Sequence, residues 1–582
     1  MIAPMEKVLL AGRTVDRRSL LEVVRAAGVV HVEPLGRREL PALPAVEEEL
    51  ALVDRALGIL GTVEGDTGVR PPEHTSPAIV EKILAIGADL ADCDGARQRL
   101  EVERQATVPW GRIGLADVAA LRTGGLHIVF FTCPPGRQRE VEAELLRRAG
   151  RVKDTEYWVA VSRRPIVIAK PAAAVPAPER ELAAVDRELA SLEVEAQRLC
   201  GKLANYTGCR RDLEAFRRHL LGQRQFLEVE AGLHDAGEVF ILMGWVPARR
   251  SAALAAALAT AQVPVALQVS PPEEEDQPPT HFENRAWCRP IEQLYRLLGI
   301  FPGYREQDIS PIFLPALTVF TGLLIADAGY ALCALLVLSL SYRALRRRGM
   351  PKAVIDLALV LSGGVLAVGA LTNTWFGESL IRLTPFDAAD DRSQALLQRI
   401  CFLLGAVHLS LAHLLRVWGR PLRLTALAEA GWVLFIWAML ALVNFLVLGT
   451  PAPAWMLPGF QISLALVLLF TAPSLNPLTT LGRGLGAIAL NAAAFFSDII
   501  SYIRLWAVGL AGGILAATFN ELAGDLPLAV MLLVLVPAHL LNLSLGLVAV
   551  FAHGVRLNLL EFSNHLGLAW GGREYQPFST RP

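Results

Sequence analysis

No Cys-x-x-Cys pair and no Cys/His spacing of a metal site occurs in this chain. Its seven cysteines, at 93, 133, 200, 209, 288, 333 and 401, are scattered and odd in number, so neither a disulfide framework nor a metal centre is expected. Charge imbalance is missing too. The 55 Lys and Arg against 56 Asp and Glu leave a net charge of −1, which gives nucleic-acid binding no support. The charge-rich first half lacks GxGxxG and P-loop patterns, so no nucleotide or other cofactor is expected. The opening MIAPMEKVLLAGRTVDRRSLLEVV has no basic region followed by an apolar run. Without such a signal peptide the first half is expected to stay in the cytoplasm.

What is present is unevenly distributed. Of 582 residues 53% are hydrophobic and 19% charged, but up to about residue 305 the chain is charge-rich. Beyond that point come apolar runs of 17 to 35 residues, long enough to span a bilayer core. The expected organisation is a soluble arm, 1–305, joined to an α-helical membrane domain, 306–582.

In the arm, KVLLAG and VVHVEPL flank the helix-like DRRSLLEVVRAAG. HIVFFTCP, RQREVEAELLRRAG and YWVAVSRRP repeat that order, as do EVFILMGWVPA, RRSAALAAALATA and PVALQV. Strand–helix–strand order predicts small α/β lobes, one from 1–40 plus 236–275 and a distal one over about 108–177. Between them lie helical stretches at Val46 to Leu60, Ile79 to Ala106 and about Glu179 to Glu230. These predict an antiparallel coiled coil, about 41–107 and 178–235, with the distal lobe at its tip. The functional reading is a rod holding other proteins away from the membrane; the alternative is a helical domain packed on itself.

From Ser310 to Tyr342 the only formal charge is Asp327. The basic RALRRRGMPK follows, and basic loops favour the cytoplasm. The stretch is therefore expected to turn back at ADAGYA, with helices over 310–326 and 328–345. Spans over 354–377, 395–415, 425–449, 459–474, 485–522 and 527–565 then alternate, with basic loops inside. Eight transmembrane helices result. The last two are long enough to be tilted or bent.

Those two carry Arg504 and Arg556. An arginine at a span's centre costs about 2.5–3.5 kcal/mol on insertion scales, so such residues mark function. Steps of three and four align His539, Asn542, Gly546, Ala549, His553 and Arg556 on one face, and Ser497, Ser501, Arg504, Val508 and Gly512 on another. Pairing with Asp498 or Glu561 as a structural clamp is the bland alternative. Intramembrane acids are too few for a complete ion carrier, which points to a partner supplying the carboxylate.

SYIRLWAVGLAGG, HGVRLNLLEF and GGREYQPF, with ISPIFLPALTVFTGLLIADAGYA, TNTWFGES and MGWVPA, resemble the membrane subunit a, or subunit I, of V-type and archaeal-type rotary ATPases. The likeness covers nearly the whole chain. It implies a non-catalytic stator subunit of a proton-translocating ATPase or ATP synthase. The implied partners are a ring of proteolipid subunits, peripheral stalks, a central-stalk subunit at the membrane and, indirectly, the catalytic head. It further implies that Arg504 and Arg556 face the ring carboxylate between two aqueous half-channels. Candidates for lining these are Ser497, Asp498, Ser501, His539, Asn542, His553, Glu378 and Glu561. A multi-pass protein of a prokaryotic cell membrane, with arm and C-terminus cytoplasmic, is expected.

Two departures stand out: the acid that eukaryotic relatives carry near Gly546 is absent, and the outer glycines of the family's GDxGYG are replaced at Ala326 and Ala331. Competing readings are a self-contained secondary transporter with a regulatory arm, which should show inverted repeats, and a scaffold without transport, which leaves Arg504 unexplained.

Overall fold

The alternation in MEKVLLAGR buries Val8 and Leu10 on one face of strand β1 (Met5–Arg13), as a half-covered strand requires. The computed structural model describes residues 1–580 apart from 37, 39, 64–75, 139–140, 387–389 and 419–423. Parts of RQREVEAELLRRAG, of the connection after Leu60 and of the loops that follow the expected spans 354–377 and 395–415 therefore lie outside the described residues. After β1 come α1 (Arg17–Ala27), β2 (His31–Glu33), α2 (Ala42–Gly61), α3 (Ser76–Thr107), α4 (Leu115–Thr123), β3 (His127–Cys133), β4 (Leu145–Val152), β5 (Thr155–Ser162) and β6 (Ala173–Val175). The chain returns through α5 (Leu182–Ala204), α6 (Arg210–Ala231), β7 (His234–Ala236), β8 (Val239–Pro247), α7 (Ser251–Ala261) and β9 (Val265–Ser270).

The near sheet has the order β2-β8-β1-β9, with β7 also on β8. Leu20, Leu21 and Val24 of α1 and Leu254 and Leu258 of α7 close its core over Val8, Leu10, Phe240 and Leu242. The distal sheet has the order β4-β5-β3-β6. All pairings among these named strands are antiparallel, so both lobes are α+β. The expected helix over RQREVEAELLRRAG is a correction: Leu145–Val152 is strand β4, folded back on β5 through a tip at Lys153, whose φ is 53°. Cross-strand pairing outweighs local helix preference here. The register shifts between Arg148 and Gly150. A Cβ on Gly150 would lie 2.3 Å from the Pro109 carbonyl oxygen.

Between the lobes α2 packs on α6 and α3 on α5. The pairing is antiparallel, since Leu35 N–H bonds Gly232 O, Arg217 pairs with Asp54 at 2.5 Å and Arg104 with Asp186 at 2.6 Å. The single long helix read from Glu179 to Glu230 is broken at 205–209, where Tyr206 and Cys209 are buried with Leu203 and Leu213.

α8 (Pro290–Leu298) leads into α9 (Ser310–Ile325), α10 (Ala328–Arg347), α11 (Lys352–Leu371), α12 (Asp391–Val417), α13 (Thr425–Leu448), α14 (Met456–Phe470), α15 (Pro477–Ser501), α16 (Ile503–Ala523), α17 (Leu528–Ala549) and α18 (Ser563–Leu566). Among the described residues six helical paths are long and apolar enough to cross a membrane, with α15–α16 and α17–α18 each counting as one; α9 and α14 are shorter apolar helices. With 16 and 15 residues, these two reach about 24 and 22 Å at 1.5 Å per residue.

Beyond α18 the segment GGREYQPF folds back onto the arm. Arg573 pairs with Glu33 at 2.7 Å, Arg296 with Glu574 at 2.7 Å, and Phe578 N–H donates to Val30 O at 2.7 Å. The Phe578 ring is buried in the near lobe's core. The Tyr575 hydroxyl donates to Val29 O, and burial pushes its pKa up to about 12. Beside it His31 Nδ1 lies 3.0 Å from Gln576 N and O, and burial holds that imidazole below its ordinary value. Thus the end of the last helix is fastened to the first strands of the chain.

Candidate functional site

α15 and α16 form one path of 47 residues that breaks at Tyr502. The Leu505 N–H bonds Tyr502 O at 3.1 Å, a tighter link than an α-turn. Ser501 O is thereby left for another donor, and Arg504 Nε donates to it at 3.0 Å. The Tyr502 ring is fully buried, with its hydroxyl 2.8 Å from His408 Nδ1. The expectation of one continuous helix over 485–522 is corrected by this break.

The last path departs from α-geometry as well. After α17, Val550–Val555 and Leu557–Phe562 are wound as π-helix. In an α-helix residues five apart lie about 140° apart on the circumference. The i→i+5 bonding of a π-helix brings them onto one side, so Arg556 and Glu561 face each other. This splits the face read by steps of three and four: His539, Asn542, Gly546 and Ala549 stay on α17, His553 lies on the first π-segment and Arg556 at its junction with the second.

Glu561 is the hub. Its Oε1 accepts from Arg504 at 2.9 Å and lies 3.6 Å from Arg556 Nε. The Glu561 side chain is 4% exposed, against 25% for Arg504 and 50% for Arg556. Its Oε2 is buried with no hydrogen-bond partner among the described residues. Two guanidiniums meet one carboxylate, so the trio carries a surplus positive charge. Asp498, the other clamp candidate, is engaged elsewhere, 3.1 Å from His565 Nε2. Ser501 Oγ donates to Ser497 O at 2.9 Å, and His553 Nδ1 is buried without a partner among the described residues.

His539 and Asn542 belong to a separate network. His539 Nδ1 lies 2.7 Å from the Tyr330 hydroxyl and its Nε2 3.0 Å from Asn520 Oδ1. Asn542 donates to Tyr330 and to Gly512 O. Below it Asp327 accepts from the backbone N–H groups of Gly329, Tyr330, Phe376 and Gly377, which caps α10 and anchors the loop that follows α11. Ala326, where the family pattern has glycine, takes the left-handed conformation at φ 45°. Glu378 is exposed in that loop and lines a cavity of about 320 Å³ with Asn373, Gln394 and Trp506. Tyr330, Asn520 and the His413–His565 pair were missed by sequence reasoning. Tyr330 stood in the quoted ADAGYA turn, whereas nothing in the spacing of 413 and 565 signals contact.

Among curated proteins, V-type ATP synthase subunit I 1 of Treponema pallidum is 30% identical over 642 residues, with 100% of each chain covered. V-type ATP synthase subunit I of Borreliella burgdorferi is 29% identical over 623 residues, with 99% of each covered. A-type ATP synthase subunit I of Methanocaldococcus jannaschii is 22% identical over 420 residues, 63% of this chain and 60% of that one. No family model matches the chain. The crystal structure of the cytoplasmic N-terminal domain of subunit I, homolog of subunit a, of V-ATPase aligns with 45% of this chain and 99% of its own at 18% identity, but its TM-score of 0.23 carries no argument. With 30% identity sustained over its whole length, the chain belongs to the V-type ATP synthase subunit I family.

Proposed function

We propose that this chain is the stator subunit of a rotary V/A-type ATPase or ATP synthase, and that Arg504 and Arg556 form its proton-translocation centre. It is a multi-pass membrane protein with a soluble N-terminal arm, and it sits in a complex with other subunits of that enzyme. Residues 306–582 cross the membrane eight times, with the arm and the C-terminus in the cytoplasm of a prokaryotic cell. The arm receives the peripheral stalks. The Arg504 region faces a proteolipid ring, and a central-stalk subunit sits beneath.

The surplus charge of the Arg504–Arg556–Glu561 trio carries this reading. A neighbouring cation lowers a carboxylate's pKa by about 1–3 units, each worth about 1.4 kcal/mol. A protonated ring carboxylate arriving from lipid therefore releases its proton at this place. Rotation past the fixed charge is needed before the carboxylate reloads from the opposite half-channel. Ser497, Asp498 and Ser501 serve the cytoplasmic side; Glu378, His539 and Asn542 serve the other, and His553 lies between. Support also comes from α15, where Gly482, Ala489, Ala493 and Ser497 are exposed and small residues allow close approach of a neighbouring helix. The tail folded onto the arm suits a stator that must resist torque.

The test is ATP-driven proton uptake by vesicles containing the assembled complex. Arg504→Ala is expected to abolish uptake with assembly intact. Uptake near the wild-type rate would leave Arg504 as a clamp for Glu561 and refute the proposal.

A further inference from the structure

Four titratable side chains from four helices form an unbroken line beside the arginine site. Glu429 Oε2 of α13 lies 2.7 Å from His413 Nδ1 of α12. His413 Nε2 lies 3.0 Å from His565 Nδ1 of α18, and His565 Nε2 lies 3.1 Å from Asp498 Oδ2 of α15. The middle of the line is sealed and its ends are open. Both imidazoles are 3% exposed, against 18% for Glu429 and 22% for Asp498. Phe495 shields the pair, its ring centroid 4.3 Å from that of His565.

Hydrogen counting distinguishes this line from an ordinary buried polar cluster. Three contacts join the four groups, and each needs one hydrogen. Two neutral imidazoles bring only one each. With both carboxylates ionised, one contact would set lone pair against lone pair. The line is therefore complete only when it holds one extra proton. Arg416 lies 3.4 Å from Glu429 Oε1, at the Glu429 end of the line.

We infer that Asp498, His565, His413 and Glu429 form a proton-conducting chain between the ring-facing surface and the cytoplasmic edge of α12 and α13. The inference rests on the stator reading above and gives its cytoplasmic half-channel a defined route. In ATP-driven uptake Glu429 takes a proton from water and passes it to His413 Nδ1 as the His413 Nε2–H bond breaks. That hydrogen goes to His565 Nδ1, and the His565 Nε2 hydrogen goes to the Asp498 carboxylate, which yields it to the ring. A cavity of about 330 Å³ lined by Asp498, Asn491, Asn564 and Arg416 adjoins the pair. It is polar enough to hold water, through which the imidazoles regain their starting tautomers.

The experiment compares ATP-driven uptake by vesicles holding the assembled complex with His413→Gln or Arg504→Gln, with and without free imidazole, which the cavity can admit. Glutamine keeps a donor and an acceptor but cannot relay a proton as imidazole does. The expected result is an uptake for His413→Gln about tenfold below wild type and partly restored by imidazole, with Arg504→Gln inactive in both conditions. Uptake within twofold of wild type, or a loss that imidazole leaves unchanged, overturns the chain. If that happens while Arg504→Gln is inactive, the stator reading stands and only the chain falls. An active Arg504→Gln removes both. Should His413→Gln fail to assemble, Glu429→Gln at the open end is decided by the same outcomes.

Discussion

Replacing Glu561 by Gln changes one charge in the arginine trio and almost no volume. In the native arrangement Glu561 offsets one of two guanidiniums, because its Oε1 is 2.9 Å from Arg504 and 3.6 Å from Arg556. With glutamine, in the proposed stator, both positive charges would act on the ring carboxylate. A unit charge about 5 Å away at an effective dielectric constant near 20 contributes about 3 kcal/mol, or about two pKa units. The carboxylate then releases its proton as readily as before but reloads only at higher proton concentration. Partial exposure of Arg556 screens part of this effect. The expected outcome is therefore an acid shift of about one to two units in the pH profile of ATP-driven uptake, with wild-type assembly. Vesicle uptake measured from pH 5 to 9 tests it. A profile superimposable on wild type, or one shifted to alkaline pH, would refute the idea that Glu561 meters the charge presented to the ring.

Three further outcomes follow from the geometry. Phe578→Ala removes an aromatic ring from the near lobe's core; such truncations cost about 3–5 kcal/mol, and the tail should become cleavable by protease in the intact complex. His31 lies against the same tail with its pKa lowered by burial. Its contribution to docking is full above the unperturbed value near 6.5 and is lost as pH falls through the lowered folded value. Tail cleavage should therefore rise on acidification, and His31→Gln should flatten that rise. A Cβ on Gly509 would lie 2.2 Å from Leu323 O, whereas one on Gly513 meets nothing within 4 Å among the described residues. Gly509→Ala should thus lower the thermal stability of the complex, by about 1–3 kcal/mol for overpacking, and Gly513→Ala should leave it unchanged.

Hydropathy sufficed to locate the apolar helices because a bilayer demands continuous apolar length, and Asp327 marked its turn because a lone acid fits poorly inside a span. The two arginines were legible for the same reason. Within RQREVEAELLRRAG the part from Leu145 was not strand-like locally; β5 made it the start of β4 by offering its edge.

Within the membrane, sequence spacing assumed uniform α-winding, and this is where it ceased to serve. The break at Tyr502 frees Ser501 O for Arg504, and the π-turns bring Arg556 round to Glu561; both depend on neighbouring helices that stabilise irregular backbone. His413 and His565 are 152 positions apart, and no local pattern encodes their contact. The sequence by itself determined which segments are apolar enough to enter a bilayer and that cations lie within them, since transfer free energy is a property of each segment alone. Only the tertiary structure decided which carboxylate those cations meet and which polar groups fall into line, because those distances are set by packing among helices remote in the chain.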